Sequence, residues 1–480
     1  MRLKELLADA GAVKVCADEN FEVRSLKIHS AKVEDGDLFF CMKGVRDDGA
    51  AHLGEVKAKA FVAVTDRVPE VECAYVLVED VRRAYAEMSA AFWGHPAEGM
   101  KFIAVVGTNG KTSTAHYIAS ILSSAGMTTG IIGTEGHYID GEKVGTSLTT
   151  PDSFELNELL FKMRARGVEA VAAEVSAHAI ALEKTAGITA DIAVFTNLSR
   201  DHLDFFRTFE AYKRVKTSFF TPEHTKKAVV NADDPCGREI LSAAEREGLP
   251  AVSYGLYSPA DSFAVNVAED MDGVRFVANL SDDIAEVRSR LMGEFNVYNL
   301  LAAMTVAHEL GVSGEQLSHA ASRVRGVRGR FSILRNDRGS IVIDYAHTPD
   351  GLEKLLRTAR TLTKSRLITV FGCGGDRDRG KRGAMGKIAA RFSDLTVVTS
   401  DNPRFEDPQR IIADITAGMT GAEFRTFPDR TEAVAYALSE MAEGDTVVIA
   451  GKGSEDYLDI RGRKVPYSDF DVARRWGQAR

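Results

Sequence analysis

The sequence predicts an α/β protein of three domains, and three observations carry that expectation. Apolar runs of four to seven residues alternate with helical patterns throughout the chain, which is the signature of parallel sheets covered on both faces. Each run ends in a polar or glycine-rich stretch, where open α/β sheets bind their ligands. Two breaks, Gly94-His-Pro-Ala-Glu-Gly99 and Arg323-Val-Arg-Gly-Val-Arg-Gly-Arg330, interrupt the periodic patterns and read as linkers. They divide the 480 residues into 1–97, 98–329 and 330–480, close to the count that about 150 residues per domain suggests.

In chain order, the start MRLKELLADAGAV reads as a short amphipathic helix with acidic interruptions, unlike a secretory signal, and no apolar run approaches membrane-spanning length. Strands are expected at 102–106, 170–175, 192–196, 228–231, 341–344, 367–371, 395–399 and 446–450, with a long helical stretch ending near Ala321. An apolar share of 45% and a charged share of 27% exclude a peptide hormone, a coiled coil and a disordered tail. The net charge of −9 argues against a nucleic-acid surface, so an anionic ligand has to be held by local sites. Five scattered cysteines without a C-x-x-C pair suggest neither a disulfide framework nor a zinc site; a reducing, cytoplasmic setting is expected, without membrane insertion.

The strongest motif is Val105-Val-Gly107-Thr108-Asn109-Gly110-Lys111-Thr112-Ser113-Thr114, between a buried strand and a helix with apolar residues at Ala115, Ile118, Ala119 and Leu122. Glycines let backbone N–H groups converge on phosphate oxygens, Lys111 supplies a positive charge, Thr112 can ligate Mg²⁺ and the helix N-terminus adds its dipole. Val105 stands where the first glycine of the full G-x-x-x-x-G-K-[ST] pattern belongs, leaving a shortened loop, GTNGKT. The central domain is thus expected to be of P-loop type, with a mostly parallel sheet. Glu174-Val-Ser176-Ala-His178 and Asn197-Leu-Ser-Arg-Asp201-His202-Leu-Asp204 close two further strands. A carboxylate and an imidazole there can hold a hard cation beside the phosphate loop, although either alone is more often a hydrogen-bonded structural group. Composition makes Lys216 a solvated lysine, no different from Lys213.

These motifs, with TTPDS (149–153), VVNADDP, GEFNVYN (293–299), DYAHTPD (344–350), FGCGGDRDRGKR, DNPRFEDP (401–408) and AGKGSEDY, resemble the Mur ligase family over essentially the whole chain. Within it they resemble the MurE type, which adds the third residue of the peptidoglycan stem peptide. The resemblance implies that CO₂ carbamylates Lys216, and that the carbamate binds Mg²⁺ with Thr112, Glu174 and His202; an ammonium of pKa about 10.4 would repel the metal. Lys111, Lys216, Glu174 and His202 become the catalytic set. Gly107, Thr108, Asn109, Gly110, Lys111, Thr112, Ser113, Asn296, Arg330, Asp344 and His347 match ATP-binding positions.

By the same resemblance the smaller N-terminal α/β domain binds UDP-sugar through Ile28, Ser30, Val45, Arg46 and Asp47, and Thr149, Thr150, Ser176 and Lys184 meet the rest of that substrate. The family commonly has Asp-Ser-Arg where this chain has His29-Ser30-Ala31, and arginine where it has Lys184, which keeps the charge but loses the bidentate fork. The C-terminal domain, expected to be Rossmann-like, holds the amino acid through Arg377, Asp401, Asn402, Pro403, Arg404, Gly451 and Glu455, with Ser454 where histidine is usual. The implied activity is a monomeric ATP-dependent ligase, acting in cell-wall synthesis. It joins UDP-N-acetylmuramoyl-L-alanyl-D-glutamate to meso-diaminopimelate through an acylphosphate. Arg404 speaks for meso-diaminopimelate over L-lysine, because a guanidinium pairs with the second carboxylate. A folylpolyglutamate- or cyanophycin-type ligase, or a nucleotide switch, shares the phosphate loop; the first leaves the N-terminal domain and DNPR unexplained.

Overall fold

Alternation along one strand sets the architecture of the largest sheet. In Lys101–Val106, Phe102, Ala104 and Val106 join the apolar cluster on one face, while Ile103 and Val105 join the cluster on the other. A strand buried on both faces belongs in the middle of a sheet covered by helices. The computed structural model describes residues 1–8, 10–44, 47–146, 148–270 and 272–478. It contains eleven strands in this sheet, with Lys101–Val106 between Ile192–Phe195 and Ala170–Glu174. Thr129–Gly133 lies beyond Ala170–Glu174, and Ala228–Asn231 and Ala251–Gly255 extend the other side in parallel. The chain leaves the central strand first to one side and later to the other, so a crevice opens at the carboxyl end of Lys101–Val106.

The helix Lys111–Ser124 packs on one face against Glu294–Glu309, a helix buried from Asn296 to Ala307 apart from Tyr298. An apolar circumference of this kind is tolerated only in an interior. Both edges of the sheet turn antiparallel: a meander of Ser262–Asp270, Gly273–Leu280 and Asp283–Ser289 on one, and the hairpin partners Gly136–Ile139 and Glu142–Gly145 on the other.

A second sheet, residues 332–450, has five parallel strands in the order Gly339–Asp344, Asp445–Ala450, Leu367–Phe371, Leu395–Thr399 and Phe424–Phe427, with Ser332–Arg335 antiparallel at its edge. Helices Pro349–Leu362 and Arg382–Phe392 cover one face, and Arg430–Ser439 with Asp469–Gln478 the other. The buried Arg430–Asp469 pair (2.8 Å) ties that last helix down. HTPD works as a helix start: Thr348 caps Gly351 N–H at 3.0 Å and Pro349 fills the first turn.

The N-terminal residues form a five-stranded sheet in the order Ala12–Cys16, Ala74–Val78, Val62–Thr65, Asp37–Phe40, Ser25–Lys27. Here the opening reading needs correction. The helix covers only Leu3–Leu6, and Ala12 and Val13 already lie in an edge strand; Leu3, Leu6 and Ala10 reach the core, but Gly11, left-handed at φ 55°, turns the chain out of helical geometry just before the strand. All eight expected strands are present, and the helix before the arginine-rich linker spans Gly314–Arg323. Among the described residues no helix is long and apolar enough to cross a membrane.

Candidate active site

The loop Gly107–Gly110 emerges at the carboxyl end of the central strand. Gly110 is left-handed (φ 84°), and an added Cβ would lie 2.6 Å from Asn299 Oδ1, so only glycine lets the loop turn into the helix there. Asn109 N–H donates to Asn197 Oδ1 (3.0 Å), and the Thr108 hydroxyl lies 3.1 Å from that of Tyr212. Lys111 Nζ folds back onto the carbonyls of Gly107 (3.0 Å) and Thr108 (2.9 Å). Burial lowers its pKa, opposed by the charges of Glu174 and Asp201. Ser113 lies buried in the first turn behind them.

Glu174, 1% exposed, accepts bonds from Thr112 Oγ1 (3.0 Å) and Thr134 N–H (2.8 Å). His202 sits at φ 55° at the next strand's end, and burial pushes its pKa down to about 3 against the pull of Asp201. The neutral ring keeps a lone pair free at neutral pH. Lys216, by contrast, is not the solvated side chain that composition suggests. It is 1% exposed at the end of the helix Phe209–Thr217, donating to Gly107 O at 2.5 Å, whereas Lys213 is a half-buried partner of Glu239. Burial and then the charge of Lys111 hold the Lys216 pKa well below the ordinary amine range. Among the described residues no group of three or more His, Cys, Asp or Glu lies at metal-holding spacing. A hard cation held here would draw on the Thr112 hydroxyl and on a Lys216 converted to an anion as well as on Glu174 and His202. A buried amine without a carboxylate bonded to it fits that conversion.

The second sheet brings its carboxyl ends to the same place. Arg330 Nη2 donates to Thr112 Oγ1 (3.2 Å) and its guanidinium stacks on Tyr345 (4.2 Å), while its Nε is buried without a partner. Asp344 accepts Phe331 N–H (2.6 Å) and Ala346 N–H (2.7 Å); burial raises its pKa, against Arg330. His347 Nε2 lies 3.5 Å from Asp201. Asn296 is buried, receiving Tyr117 OH at 3.0 Å. Asn296 and Arg330 line a cleft of about 850 Å³ with Phe331, Arg290, Arg325 and Arg328.

Beyond them, Asn402 Nδ2 donates to Glu455 Oε2 (3.0 Å), and Lys452 bonds both residues. Arg404 Nη1 donates to Gly375 O (2.7 Å), and its Nε lies 3.7 Å from Asp459 Oδ2, which leaves part of the guanidinium fork uncommitted. Pro403 precedes it, Asp401 is buried with its Oδ1 accepting Asn402 N–H at 2.6 Å, and Gly451 N–H donates to Asp344 O at 3.0 Å. Arg377 extends from the neighbouring loop toward Asp204 at 3.7 Å.

Thr149, Thr150, Ser176 and Lys184 also converge. Thr150 Oγ1 bonds Glu174 O and Ser176, Lys184 Nζ reaches Thr150 O (3.4 Å) and Asp152 (2.7 Å), and Thr149 meets Thr134 at 3.0 Å. The N-terminal residues bond within their own layer: Ser30 to Glu55 (2.9 Å) and Asp47 to His52 (2.9 Å), with Ile28 packed on that sheet's core. Val45 and Arg46 lie outside the described residues. Sequence reasoning missed Glu135, which holds Arg330 (3.7 Å) and bonds the Ser454 hydroxyl, and Asp350, which accepts from Asn109 at 2.8 Å. Both act between segments far apart in sequence, and only DYAHTPD carried a signal for one of them.

The Mur ligase middle domain family matches residues 105–307, and the Mur ligase, glutamate ligase domain family matches 329–453. A UDP-N-acetylmuramoyl-L-alanyl-D-glutamate--2,6-diaminopimelate ligase of Clostridium perfringens (strain 13 / Type A) is 38% identical, covering 98% of each chain. The ligase of the same name from Syntrophomonas wolfei is 39% identical, again over 98% of both. A solved structure of a protein of that name superposes with a TM-score of 0.72 and 31% identity over 100% of this chain and 99% of the other.

Proposed function

This chain belongs to the Mur ligase family, and on that premise we propose that it is an ATP-dependent amide ligase joining meso-diaminopimelate to UDP-N-acetylmuramoyl-L-alanyl-D-glutamate, a step of peptidoglycan precursor synthesis. One observation carries the reading. The phosphate loop with Glu174 and Lys216 faces, across a single interface, the strand ends that bear Asp344, Arg377, Arg404 and Glu455.

The chemistry follows from what a carboxylate lacks. It does not react usefully with an amine, so the D-glutamate γ-carboxylate first takes the γ-phosphoryl group of ATP. The amine of the incoming amino acid attacks the acylphosphate carbonyl, and the tetrahedral intermediate expels phosphate. Lys111 and the N–H groups of Gly110–Ser113 at the helix start would stabilise the phosphoryl charge in both steps, and Arg330 adds a guanidinium beside Thr112. Mg²⁺, when bound, neutralises phosphoryl oxygens; Thr112, Glu174, His202 and a carbamate on Lys216 would hold it. A carbamate forms from a neutral amine and CO₂ with loss of a proton, and burial, by lowering the Lys216 pKa, favours the neutral amine.

The cleft at Asn296 and Arg330 suits the rest of the nucleotide, and Asp344 adjoins it through its bond to Phe331 N–H. Glu455, whose Oε2 is held by Asn402 and Lys452, would receive the ammonium of the amino acid on its other oxygen, and Arg404 its distal carboxylate. Lysine would leave Arg404 without that partner, and sites built around a polar group reject analogues lacking it by large factors. Three sheets, each with its own core, support modules divided near residues 97 and 329: UDP-sugar-binding, ATP-binding and amino-acid-binding. Five free thiols suit a cytoplasmic enzyme.

The test is phosphate release with each substrate omitted in turn. A ligase needs the nucleotide sugar and the amino acid together for steady turnover, whereas a nucleotide switch hydrolyses ATP without them. Efficient lysine incorporation would overturn the choice of amino acid while leaving the ligase intact.

A further inference from the structure

The loop between the strand Leu367–Phe371 and the helix Arg382–Phe392 carries Arg377, and three charged contacts press it against the end of the strand Ile192–Phe195. Arg200 meets Asp378 through two bonds, Nε to Oδ2 at 3.0 Å and Nη2 to Oδ1 at 3.2 Å. Lys381 Nζ reaches Asp201 Oδ1 at 3.4 Å, with both side chains 7% exposed. Asp204 Oδ2 stands 3.7 Å from Arg377 Nη1. Plus, minus, minus on one segment thus meets minus, plus, plus on the other, and no like charges are paired. The loop is also fixed to its own sheet: Asp376 N–H donates to Glu406 (2.6 Å), and the fully buried Arg382 pairs with Glu406 (2.8 Å) and Asp414 (2.9 Å). Anchored at both ends, it has one way to sit. The guanidinium of Arg377, 47% exposed and making one bond, to Asp376 O at 3.2 Å, remains available to a ligand.

We infer that Arg200, Asp201 and Asp204 are positioning residues for the amino-acid substrate, clamping the loop that carries Arg377 onto the strand end that carries His202. The inference rests on the function proposed above and adds a division of labour within it. Phosphoryl transfer to the γ-carboxylate centres on the loop Gly107–Gly110, Lys111, Glu174 and Lys216 with Arg330 beside Thr112, whereas attack on the acylphosphate needs the amine delivered from the second sheet. The clamp serves the second step.

The test is a double-mutant cycle on the outermost pair, Arg200→Gln, Asp378→Asn and both together, with Arg200→Lys as a milder variant. The amide introduced by Asp378→Asn keeps an oxygen for the Gly380 N–H that Asp378 Oδ1 now caps at 2.9 Å, so the turn survives. Acylphosphate is measured by reductive trapping with ATP and nucleotide sugar alone, and KM for meso-diaminopimelate in the full reaction. Each single variant is expected to raise that KM about five-fold, the upper range for an exposed pair, the double variant no further, and Arg200→Lys less. Acylphosphate formation stays at the wild-type level. An unchanged KM, additive losses in the double variant, or trapping that falls in step with ligation would overturn the inference. A wild-type protein that traps no acylphosphate would instead overturn the function on which it rests.

Discussion

Lys216 presents its amine to the Gly107 carbonyl in a site that excludes water, and an ammonium there is costly because no carboxylate bonds it. Conversion to a carbamate would replace that cost with a metal ligand. Lys216→Ala is expected to lower turnover by about a hundred-fold or more, with partial recovery in high bicarbonate and formate. Near-normal activity of the variant at low bicarbonate would contradict this. Arg404 holds Gly375 O with Nη1 and has its Nε beside Asp459, which leaves Nη2 uncommitted. Arg404→Ala should raise the KM for diaminopimelate by roughly ten-fold or more and leave the KM for ATP nearly unchanged, as steady-state kinetics with each substrate varied will show. At this scale the turn from Gly107 to Gly110 between strand and helix was legible, because strand, glycine turn and helix are contiguous. The burial of Lys216 was not, since Tyr212 and a loop over a hundred residues upstream create it.

The strand, loop and helix from Lys101 to Ser124 act as one device, and Gly110 is its weakest joint. Gly110→Ala puts a Cβ into the left-handed region against Asn299, so a loss of about 1–2 kcal/mol in stability is expected. Weaker ATP binding should accompany it, with calorimetry and melting curves as the check; a variant with wild-type values for both would refute the strain. Eight of the parallel strands were readable as continuous apolar runs, all of them in the two larger sheets. Edge elements were not: Ser262–Asp270 and Glu142–Gly145 are largely exposed, and neighbours fix their state more than their own pattern does. Two N-terminal strands escaped for a related reason, Ser25–Lys27 and Ala12–Cys16 being short and half-buried at the sheet's edges, whereas Asp37–Phe40 and Val62–Thr65 are fully buried but only four residues long.

Across the whole molecule, buried histidines set an acid limit. Burial pushes His116 down to about 4 from 6.5, and lowers His137 and His178 as well. Such groups stay neutral in the fold while the unfolded chain protonates. Their stabilisation is therefore complete above the unfolded value of about 6.5 and declines as pH falls toward the folded value. The melting temperature should drop between about pH 6.5 and 4; a flat profile over that window would refute the assignment. The presence of separate sheets could be anticipated from the glycine- and arginine-rich breaks. How they face one another could not, because Arg200–Asp378 and Asn109–Asp350 join residues far apart in the chain.

The strand order of the second sheet bears on how the protein is made. Asp445–Ala450 lies between Gly339–Asp344 and Leu367–Phe371, yet it is the last of the three to leave the ribosome. Until it emerges, the two earlier strands present open, complementary edges, and Arg430 waits for Asp469. A nascent chain stopped at residue 444 should therefore collect in aggregates or be cleared by proteases, while the central sheet, complete by Ser289, survives limited digestion as a folded fragment. Premature termination late in the message would thus be almost as damaging as termination early in it.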